Sequence, residues 1–487
     1  MNEDKIILKL IEHDEQFQKI EDDLSRVVTK EEFTIASHKL AYGGLKVLRI
    51  LKTIIKFFIP KCVIKSYHFL FAHIADFVYR HPSKQLTVIG VTGTNGKSTT
   101  VQFIGRILEH VGERVGWTST VGFKIAENEW INDKKMTMLG RFQTQKMLRQ
   151  MVRAKCLFAV IETSSQGIAQ YRHVGIKYDI AVFTNLTPEH IEAHGGFEKY
   201  KQAKGKLFEN VARAKVINLM DEHAEFFLAS PAGEPWGFGY EEKKGGREEV
   251  VRDEGKKKPV RTIWAENVHF GKTGSKFEIH GVEFELKPIG RFYFENALAT
   301  ITTCRALGFS LEQIRDAVSH LETIPGRLEV IDEGQPFTVV VDYAPEPAAL
   351  SASYEALSLI GYHRLIHVLG STGGGRDVAR RTILGQMAAK QADIVIVTNE
   401  DPYDDDPMEI INNIADSAIE SGKEDNVNLF RILDREEAIN KAIAVAQPGD
   451  LVLLTGKGNE PVMAVAGGKK IPWDDRVAVR RAIHEIE

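Results

Sequence analysis

Short apolar runs recur along this chain, each too brief for a helix and each ending abruptly in polar residues. Residues 86–91, 156–161 and 180–183 form one set, and residues 338–341, 365–369, 394–397 and 451–454 form another. A run that is apolar at every position suits a strand buried on both faces of a parallel sheet. Between the runs, apolar residues return at helical spacing. A helix opening at Lys97-Ser98-Thr99 carries Val101, Ile104, Leu108 and Val111 on one face and stops at Gly112. Residues 197–210 set Phe197, Tyr200, Lys204 and Phe208 on one stripe, and Asn296 starts a further helix that carries Cys304 into the core. Residues 260–286 alternate like short antiparallel strands. The pattern predicts an α/β chain: a central domain over 85–324 with a mostly parallel sheet, then a doubly wound, Rossmann-like domain over 325–487.

Ahead of these lies a region, 1–84, with no strand signal. Through Glu32 it is a polar amphipathic helix whose apolar members are Ile6, Leu8, Ile11, Phe17, Ile20 and Leu24, which reads as a solvated helix or short coiled coil. From Phe33 to Ala75 there is no Asp or Glu, while Lys39, Lys46, Arg49, Lys52, Lys56, Lys61 and Lys65 punctuate an apolar run that Pro60 breaks into two helices. Two readings stand side by side. Residues 33–75 lie on an anionic membrane surface, or they form a helical pair packed on the next domain with lysines in water.

The strand ends carry the chemistry. The first run leads into Gly93-Thr94-Asn95-Gly96, and Lys97-Ser98-Thr99 opens the helix beyond. Strand, glycine turn, Lys-Ser and helix make a phosphate cradle: backbone N–H groups and the helix N-terminus meet the anion, Lys97 reaches the terminal phosphates, and Ser98 holds Mg²⁺. The common loop has glycine five places before its Gly-Lys pair; here Val91 holds that place and the glycines are Gly90 and Gly93. The expectation is an ATP site. The second run delivers Glu162, Thr163 and Ser164; the third delivers Thr184, Asn185, Glu189 and His190. Ligands bind outside the carboxyl ends of strands in open parallel sheets, so Glu162 and His190 are candidate metal ligands. On spacing alone the preferred readings are that His190 is a hydrogen-bonded loop histidine and that Lys204 snorkels out of its apolar stripe. In the last region the strands end in Asp342-Tyr343, Gly373–Gly375 followed by Arg376-Asp377, Asn399–Pro402, and Gly456–Glu460. No acidic residue follows the glycine run at the ribose spacing, so NAD is not expected.

Composition narrows the partners. Lys+Arg 63 against Asp+Glu 67 gives a net charge of −4, which offers no basic field for nucleic acid. Cys62, Cys156 and Cys304 are too scattered for a disulfide framework or zinc spacing, which favours a reducing compartment, the cytoplasm. No secretory signal and no uninterrupted apolar span of membrane length are seen. Residues 241–258 read as a charged, mobile surface loop.

Taken in order, GVTGTNGKSTT at 90, ETSSQGIAQYR at 162, FTNLTPEHIEAHG at 183, YKQAKGKLF at 200, IPGRLE at 324, VDYA at 341 and GKGNE at 456 resemble the Mur ligases, and most of all their MurE branch. The likeness spans about residues 86 to 478. It implies an ATP-dependent ligase that activates a UDP-N-acetylmuramoyl-dipeptide carboxylate as an acyl phosphate and joins it to an amino acid, acting as a monomer. By the same likeness Lys97 binds the ATP phosphates, Ser98 and Glu162 hold one Mg²⁺, and His190 with a CO₂-modified, carbamate-bearing Lys204 holds a second. An ammonium at Lys204 would repel two metals, whereas a carbamate ligates them. Asn296 faces the adenine, Arg327 and Asp342 contact the nucleotide, and Thr137, Ser164, Gln170 and Arg172 hold the muramoyl-dipeptide donor. Arg376, Asp401, Tyr403 and Glu460 fall at acceptor positions. There are departures. DHLD is Glu189-His190-Ile191-Glu192, and DYAHTP is Asp342-Tyr-Ala-Pro345-Glu-Pro347. DNPR, which marks enzymes adding meso-diaminopimelate, is Glu400-Asp401-Pro402-Tyr403, and GKGHE is GKGNE. The usual UDP-holding N-terminal domain is replaced by the basic helical region. A lipid-linked or polyglutamyl donor, or a membrane-bound P-loop NTPase without ligase activity, stays open as an alternative.

Overall fold

The computed structural model describes residues 61–134, 136–188, 195–241, 259–375 and 378–486. The first amphipathic helix, the basic stretch up to Pro60, nearly all of the 241–258 loop, His190 and Arg376 lie outside the described residues.

Helix α1 (Lys61–Val78) turns His68, Ala72 and Ala75 inward, and packs on α3 (Arg141–Arg153). This part of the N-terminal region is therefore docked on the next unit. Strand β1 (Thr87–Thr92) then opens the larger sheet and α2 (Lys97–His110) follows the glycine turn. Next come β2 (Val115–Thr118), β3 (Gly122–Ile125), β4 (Asn128–Ile131), β5 (Phe158–Glu162), α4 (Ser165–Ala169), β6 (Ile180–Phe183) and α5 (Phe197–Gly205). After β7 (Ala214–Asn218), α6 (Ala224–Leu228) and β8 (Glu234–Tyr240), a meander of β9 (Arg261–Gly271), β10 (Gly274–Ile279) and β11 (Val282–Leu286) precedes α7 (Arg291–Leu307) and α8 (Leu311–Ser319).

These strands form one eleven-stranded sheet, ordered β11-β10-β9-β8-β7-β6-β1-β5-β2-β3-β4. Its centre is parallel, and β1 lies between β5 and β6 with Val91 opposite Glu162 and Thr92 opposite Phe183. That register sets three polar strand ends side by side. Alternate residues feed opposite faces. Ile89, Val91, Val160 and Val182 join α2, α7 and α8, whereas Val88, Ile161 and Phe183 join α3, α4 and α5.

A six-stranded sheet follows, built from β12 (Glu329–Ile331), β13 (Thr338–Val341), β14 (Leu365–Leu369), β15 (Ile394–Thr398), β16 (Leu429–Ile432) and β17 (Leu451–Leu454). Its order is β12-β13-β17-β14-β15-β16, parallel apart from β12. Helices α9 (Pro347–Ser358), α10 (Ala379–Gln391), α11 (Pro407–Glu420), α12 (Arg435–Val445) and α13 (Asp475–Ile486) accompany it, and β18 (Val462–Val465) pairs with β19 (Lys469–Pro472) as a separate hairpin.

Some bounds shift from the sequence reading. The helix containing Asn296 begins five residues earlier, at Arg291, because Gly290 at φ +111° turns the chain there. Asn296 thus sits in its second turn, buried. The helix starting at Phe197 stops at Gly205 and tightens into a 3₁₀ turn over Lys206–Phe208, a change that drives Leu207 and Phe208 into the core.

Candidate active site

The turn after β1 is gripped by the loop after β6. Thr94 N–H donates to the Asn185 carbonyl (2.9 Å), Asn95 N–H donates to Asn185 Oδ1 (2.8 Å), and Thr184 Oγ1 donates to the Asn95 carbonyl (2.7 Å). Gly96 sits at φ +79°, and a Cβ there would collide with Asn296 Oδ1. Asn296 thus presses on the last residue before α2, and its Nδ2 has no hydrogen-bond partner among the described residues. An unsatisfied buried amide beside a glycine turn is a natural place for a ligand's polar edge.

Two lysines meet at this turn. Lys97 Nζ donates to the Thr94 carbonyl (2.6 Å), and Lys204 Nζ donates to the Gly93 carbonyl (2.6 Å). Lys204 is 1% exposed and lies 4.5 Å from the centroid of the Tyr200 ring, whose hydroxyl is 3.1 Å from Thr94 Oγ1. A buried lysine is costly unless its charge is met, and here a carbonyl and an aromatic face do so. On the other side of the turn Ser98 Oγ donates to Glu162 Oε2 (2.8 Å). Glu162 also accepts from Thr120 N–H (2.6 Å) and Thr120 Oγ1 (3.0 Å). A buried carboxylate and a hydroxyl in contact form an oxygen-only donor pair, the chemistry Mg²⁺ favours, so the residues present fit that ion.

The donor-side residues lie just beyond Glu162. Ser164 caps α4 by accepting from Gly167 N–H (3.1 Å), and Arg172 donates to the Met138 carbonyl (2.5 Å), tying the Thr137 segment to the end of that helix. Gln170 Oε1 is buried without a hydrogen-bond partner among the described residues. Helix α1 braces this corner: His68 pairs with Arg141, Arg141 donates to the Gln170 carbonyl (2.7 Å), and Phe69 meets Tyr171 edge-on.

The smaller sheet supplies a second polar edge. Asp342 accepts from Leu328 N–H, Tyr343 N–H and Ser353 Oγ, and burial pushes its carboxyl above the usual range despite those bonds. Arg327 lies 4.3 Å over the Tyr343 ring. Lys457 is fully buried, bridging Asp401 (2.9 Å) and Glu460 (2.7 Å), so Glu460 already holds a cation. Burial also raises the Glu400 carboxyl, and its Oε2 has no partner among the described residues. Tyr403, at φ +52°, lines a cavity of about 550 Å³ with Asp405, Leu433, Glu437, Met463 and Trp473. A narrow cleft lined by Thr120, Val121, Arg327, Tyr343 and Glu460 joins the two edges.

Sequence reasoning gave no role to Thr120 or Lys457 and placed Tyr200 only on the apolar stripe of its helix. Thr120 stands just past the end of β2, where the strand-end rule already pointed, and Lys457 lay inside a motif whose glutamate alone drew notice.

Comparison with known proteins now bears on this arrangement. Residues 91–304 match the family described as "Mur ligase middle domain", and residues 326–458 match "Mur ligase, glutamate ligase domain". The chain is 36% identical over 446 residues to a UDP-N-acetylmuramyl-tripeptide synthetase of Roseiflexus sp. (strain RS-1), covering 88% of this chain and 84% of that protein. It is 34% identical over 441 residues to a UDP-N-acetylmuramoyl-L-alanyl-D-glutamate–2,6-diaminopimelate ligase of Geobacillus thermodenitrificans (strain NG80-2), covering 88% and 85%. A solved structure of a ligase with that same description superposes with TM-score 0.55 at 29% identity, over 85% of this chain and 82% of that one. MurF from Acinetobacter baumannii, at 19% identity and TM-score 0.59 over 79% and 76%, shares the fold.

Proposed function

The chain belongs to the Mur ligase family of ATP-dependent amide ligases, and from that premise we propose that it joins an amino acid to the carboxylate of a UDP-N-acetylmuramoyl-dipeptide-like donor in peptidoglycan precursor synthesis. The observation that carries this reading is the Ser98–Glu162 contact at the glycine turn, with Lys97 and Lys204 beside it. A donor carboxylate oxygen attacks the γ-phosphorus of ATP, ADP departs, and an acyl phosphate forms. The acceptor amine then attacks the acyl carbon, the bond to phosphate breaks, and the nitrogen loses a proton. Lys97 moves from the Thr94 carbonyl to the transferring phosphoryl group and offsets its charge. Ser98 and Glu162 would hold one Mg²⁺, which would supply charge neutralisation at the phosphates. His190 and Lys204 would hold the second, Lys204 as the carbamate that its amine gives on adding CO₂ and losing a proton. Support for the carbamate is the burial of Lys204 against the turn. Asn296, Arg327 and Asp342 orient the nucleotide, while Thr137, Ser164, Gln170 and Arg172 seat the donor.

Arg376, Asp401, Tyr403 and Glu460 take the acceptor. With tyrosine where diaminopimelate-adding relatives carry arginine, the acceptor is one that needs no bidentate clamp on a second carboxylate. Residues 85–324 carry the nucleotide and 325–487 the acceptor, so closure of one on the other excludes water from the acyl phosphate. The enzyme acts as a cytoplasmic monomer whose α1 side rests on anionic membrane. On α1, Phe69, Leu70 and Phe77 are 50%, 56% and 73% exposed, next to the acid-free, lysine-rich stretch. Among the described residues no helix is long and apolar enough to cross a membrane.

The test is to incubate the protein with ATP, Mg²⁺, UDP-N-acetylmuramoyl-dipeptide and an amino-acid panel, following phosphate release and product mass. Phosphate release should need both donor and amine; ATP turnover that needs neither overturns the ligase reading. Lys204→Ala should be inactive and partly rescued by short carboxylic acids, and an active variant removes the carbamate. Flotation with anionic liposomes should retain the wild type and release Phe69→Ser/Leu70→Ser/Phe77→Ser; equal retention removes the membrane contact.

A further inference from the structure

On the outer face of the larger unit, three metal-binding side chains converge. His110 is the last residue of α2, the helix that starts at the glycine turn; Asp316 lies in α8 and His320 ends that helix. Though 206 residues apart, His110 Nε2 and Asp316 Oδ2 are 2.7 Å from each other, and the two imidazole rings stand 4.8 Å apart at 32°. One ligand atom from each of the three lies within 4.8 Å of the others, and all three residues are exposed. A surface ion pair needs one histidine and one carboxylate. Asp316 attracts either imidazole when it is protonated, and when the rings are neutral both offer lone pairs to a cation.

The orientation of His320 adds an independent point. Its Nδ1 is 2.8 Å from the Asp316 carbonyl and 3.2 Å from Ser319 Oγ, so Nδ1 donates to the carbonyl and, in the neutral ring, Nε2 keeps the lone pair. Metal-ligating histidines are held in this way, one ring nitrogen donating to a backbone carbonyl while the other binds. For ligand atoms about 2.0–2.2 Å from a shared ion, the side chains close by small rotamer changes on two helix ends that are already packed together.

We propose that His110, Asp316 and His320 form a surface site for a borderline divalent transition metal, Zn²⁺ above all, that staples the C-terminal end of α2 to α8. Two imidazoles and one carboxylate select Zn²⁺, Co²⁺ or Ni²⁺ and reject Mg²⁺, which asks for an all-oxygen shell. The site is therefore separate in chemistry from the oxygen pair at Ser98 and Glu162, and lies at the opposite end of the same helix. It leaves coordination positions for water, as a three-ligand exposed site does. The ion binds the folded arrangement and so raises the melting temperature.

The experiment titrates Zn²⁺ into the chelator-treated, full-length protein by calorimetry, with saturating Mg²⁺ and ATP present to occupy the nucleotide turn. The wild type should take up one more equivalent than His110→Ala/His320→Ala, and Asp316→Asn should bind at least tenfold more weakly. Co²⁺ in place of Zn²⁺ should give visible d–d absorption in the wild type and lose it in the double variant. All these positions are exposed, and melting of the metal-free variants within a few degrees of the wild type verifies that they fold. Equal Zn²⁺ stoichiometry in wild type and double variant, or Co²⁺ spectra that the substitutions do not change, overturns the site.

Discussion

Cations stand at the carboxyl ends of both sheets, but they answer to different partners. At the carboxyl edge of the larger sheet, Lys97 and Lys204 donate to carbonyls of the turn itself. At the carboxyl edge of the smaller one, Lys457 sits between Asp401 and Glu460, Arg435 is locked to Asp475 with both side chains at 0% exposure, and Arg380 is paired with Glu346. A carbonyl is a dipole, and an arriving phosphate outcompetes it. A buried carboxylate is a full charge whose abandonment costs several kcal/mol. The difference teaches which edge does chemistry and which supplies walls. Bonds to the turn's carbonyls are ones a phosphate can exchange, whereas the carboxylate pairs of the second edge fix one rigid arrangement.

The strongest way to break that comparison is at the exchangeable edge. Lys97→Ala should lower turnover by at least about 10³-fold, since a charged donor to the transferring group is worth no less than one oxyanion-hole donor. Its unfolding midpoint in urea should fall by far less than the activity does, because a hydrogen bond to the Thr94 carbonyl from a half-buried side chain is worth only about 0.5–1.5 kcal/mol. A large stability loss with modest kinetic loss would make Lys97 structural. The mirror experiment is Lys457→Met, which removes the ammonium that bridges Asp401 and Glu460. Unfolding should show a loss of about 3–5 kcal/mol. Unchanged stability would mean that this edge too is exchangeable.

These contrasts also explain what sequence could and could not supply. The strands at Thr338–Val341, Leu365–Leu369 and Leu451–Leu454 were read with their bounds intact, because a strand buried on both faces is apolar at every position. Their order, with β17 between β13 and β14, was not, since pairing joins segments far apart in the chain. The cradle was visible because its glycines, Lys97 and Ser98 are neighbours in sequence. Ser98 and Glu162 could be brought to adjacent strand ends by the strand-end rule, and the structure has them in contact. The grip of Thr120 on Glu162, and of His68 on Arg141, depends on side chains 42 and 73 residues apart. No local pattern announces such a partner. Nor did helical spacing foresee the tightened turn after Gly205, which answers to the core's demand for Leu207 and Phe208.

A smaller effect sharpens the rigid side of the comparison. His367 is fully buried in β14, with Nδ1 on the Tyr354 hydroxyl (2.8 Å) and Nε2 on Thr455 Oγ1 (3.0 Å). Burial, aided by the charge of Arg435, lowers its pKa from 6.5 to about 3. The unfolded chain therefore binds this proton first. Stability from His367 is complete above about pH 6.5 and is lost as pH falls toward 3, at up to about 1.4 kcal/mol per unit. His367→Gln keeps the hydrogen bonds and cannot titrate, so urea midpoints measured down the acid limb should fall less steeply than in the wild type. Parallel slopes would assign the acid sensitivity to other groups.

The smallest expected change is the most telling about the acceptor. Tyr403 stands at φ +52°, its N–H held by the Ala464 carbonyl (3.2 Å), so the backbone is fixed before any side chain is chosen. Tyr403→Arg meets the same left-handed cost as tyrosine and adds a fork that can take a carboxylate in two parallel bonds. Steady-state assays should then give a KM for meso-diaminopimelate about tenfold lower, equal to about 1.4 kcal/mol, with kcat unchanged and the KM of monocarboxylic acceptors unaffected. The direction matters more than the size. If the arginine raises KM for every acceptor alike, Tyr403 serves as packing against Met463 and Trp473, and the acceptor edge belongs wholly to the rigid class. If it lowers KM for the dicarboxylic acceptor alone, the loop after β15 sets acceptor specificity through its side chain at 403.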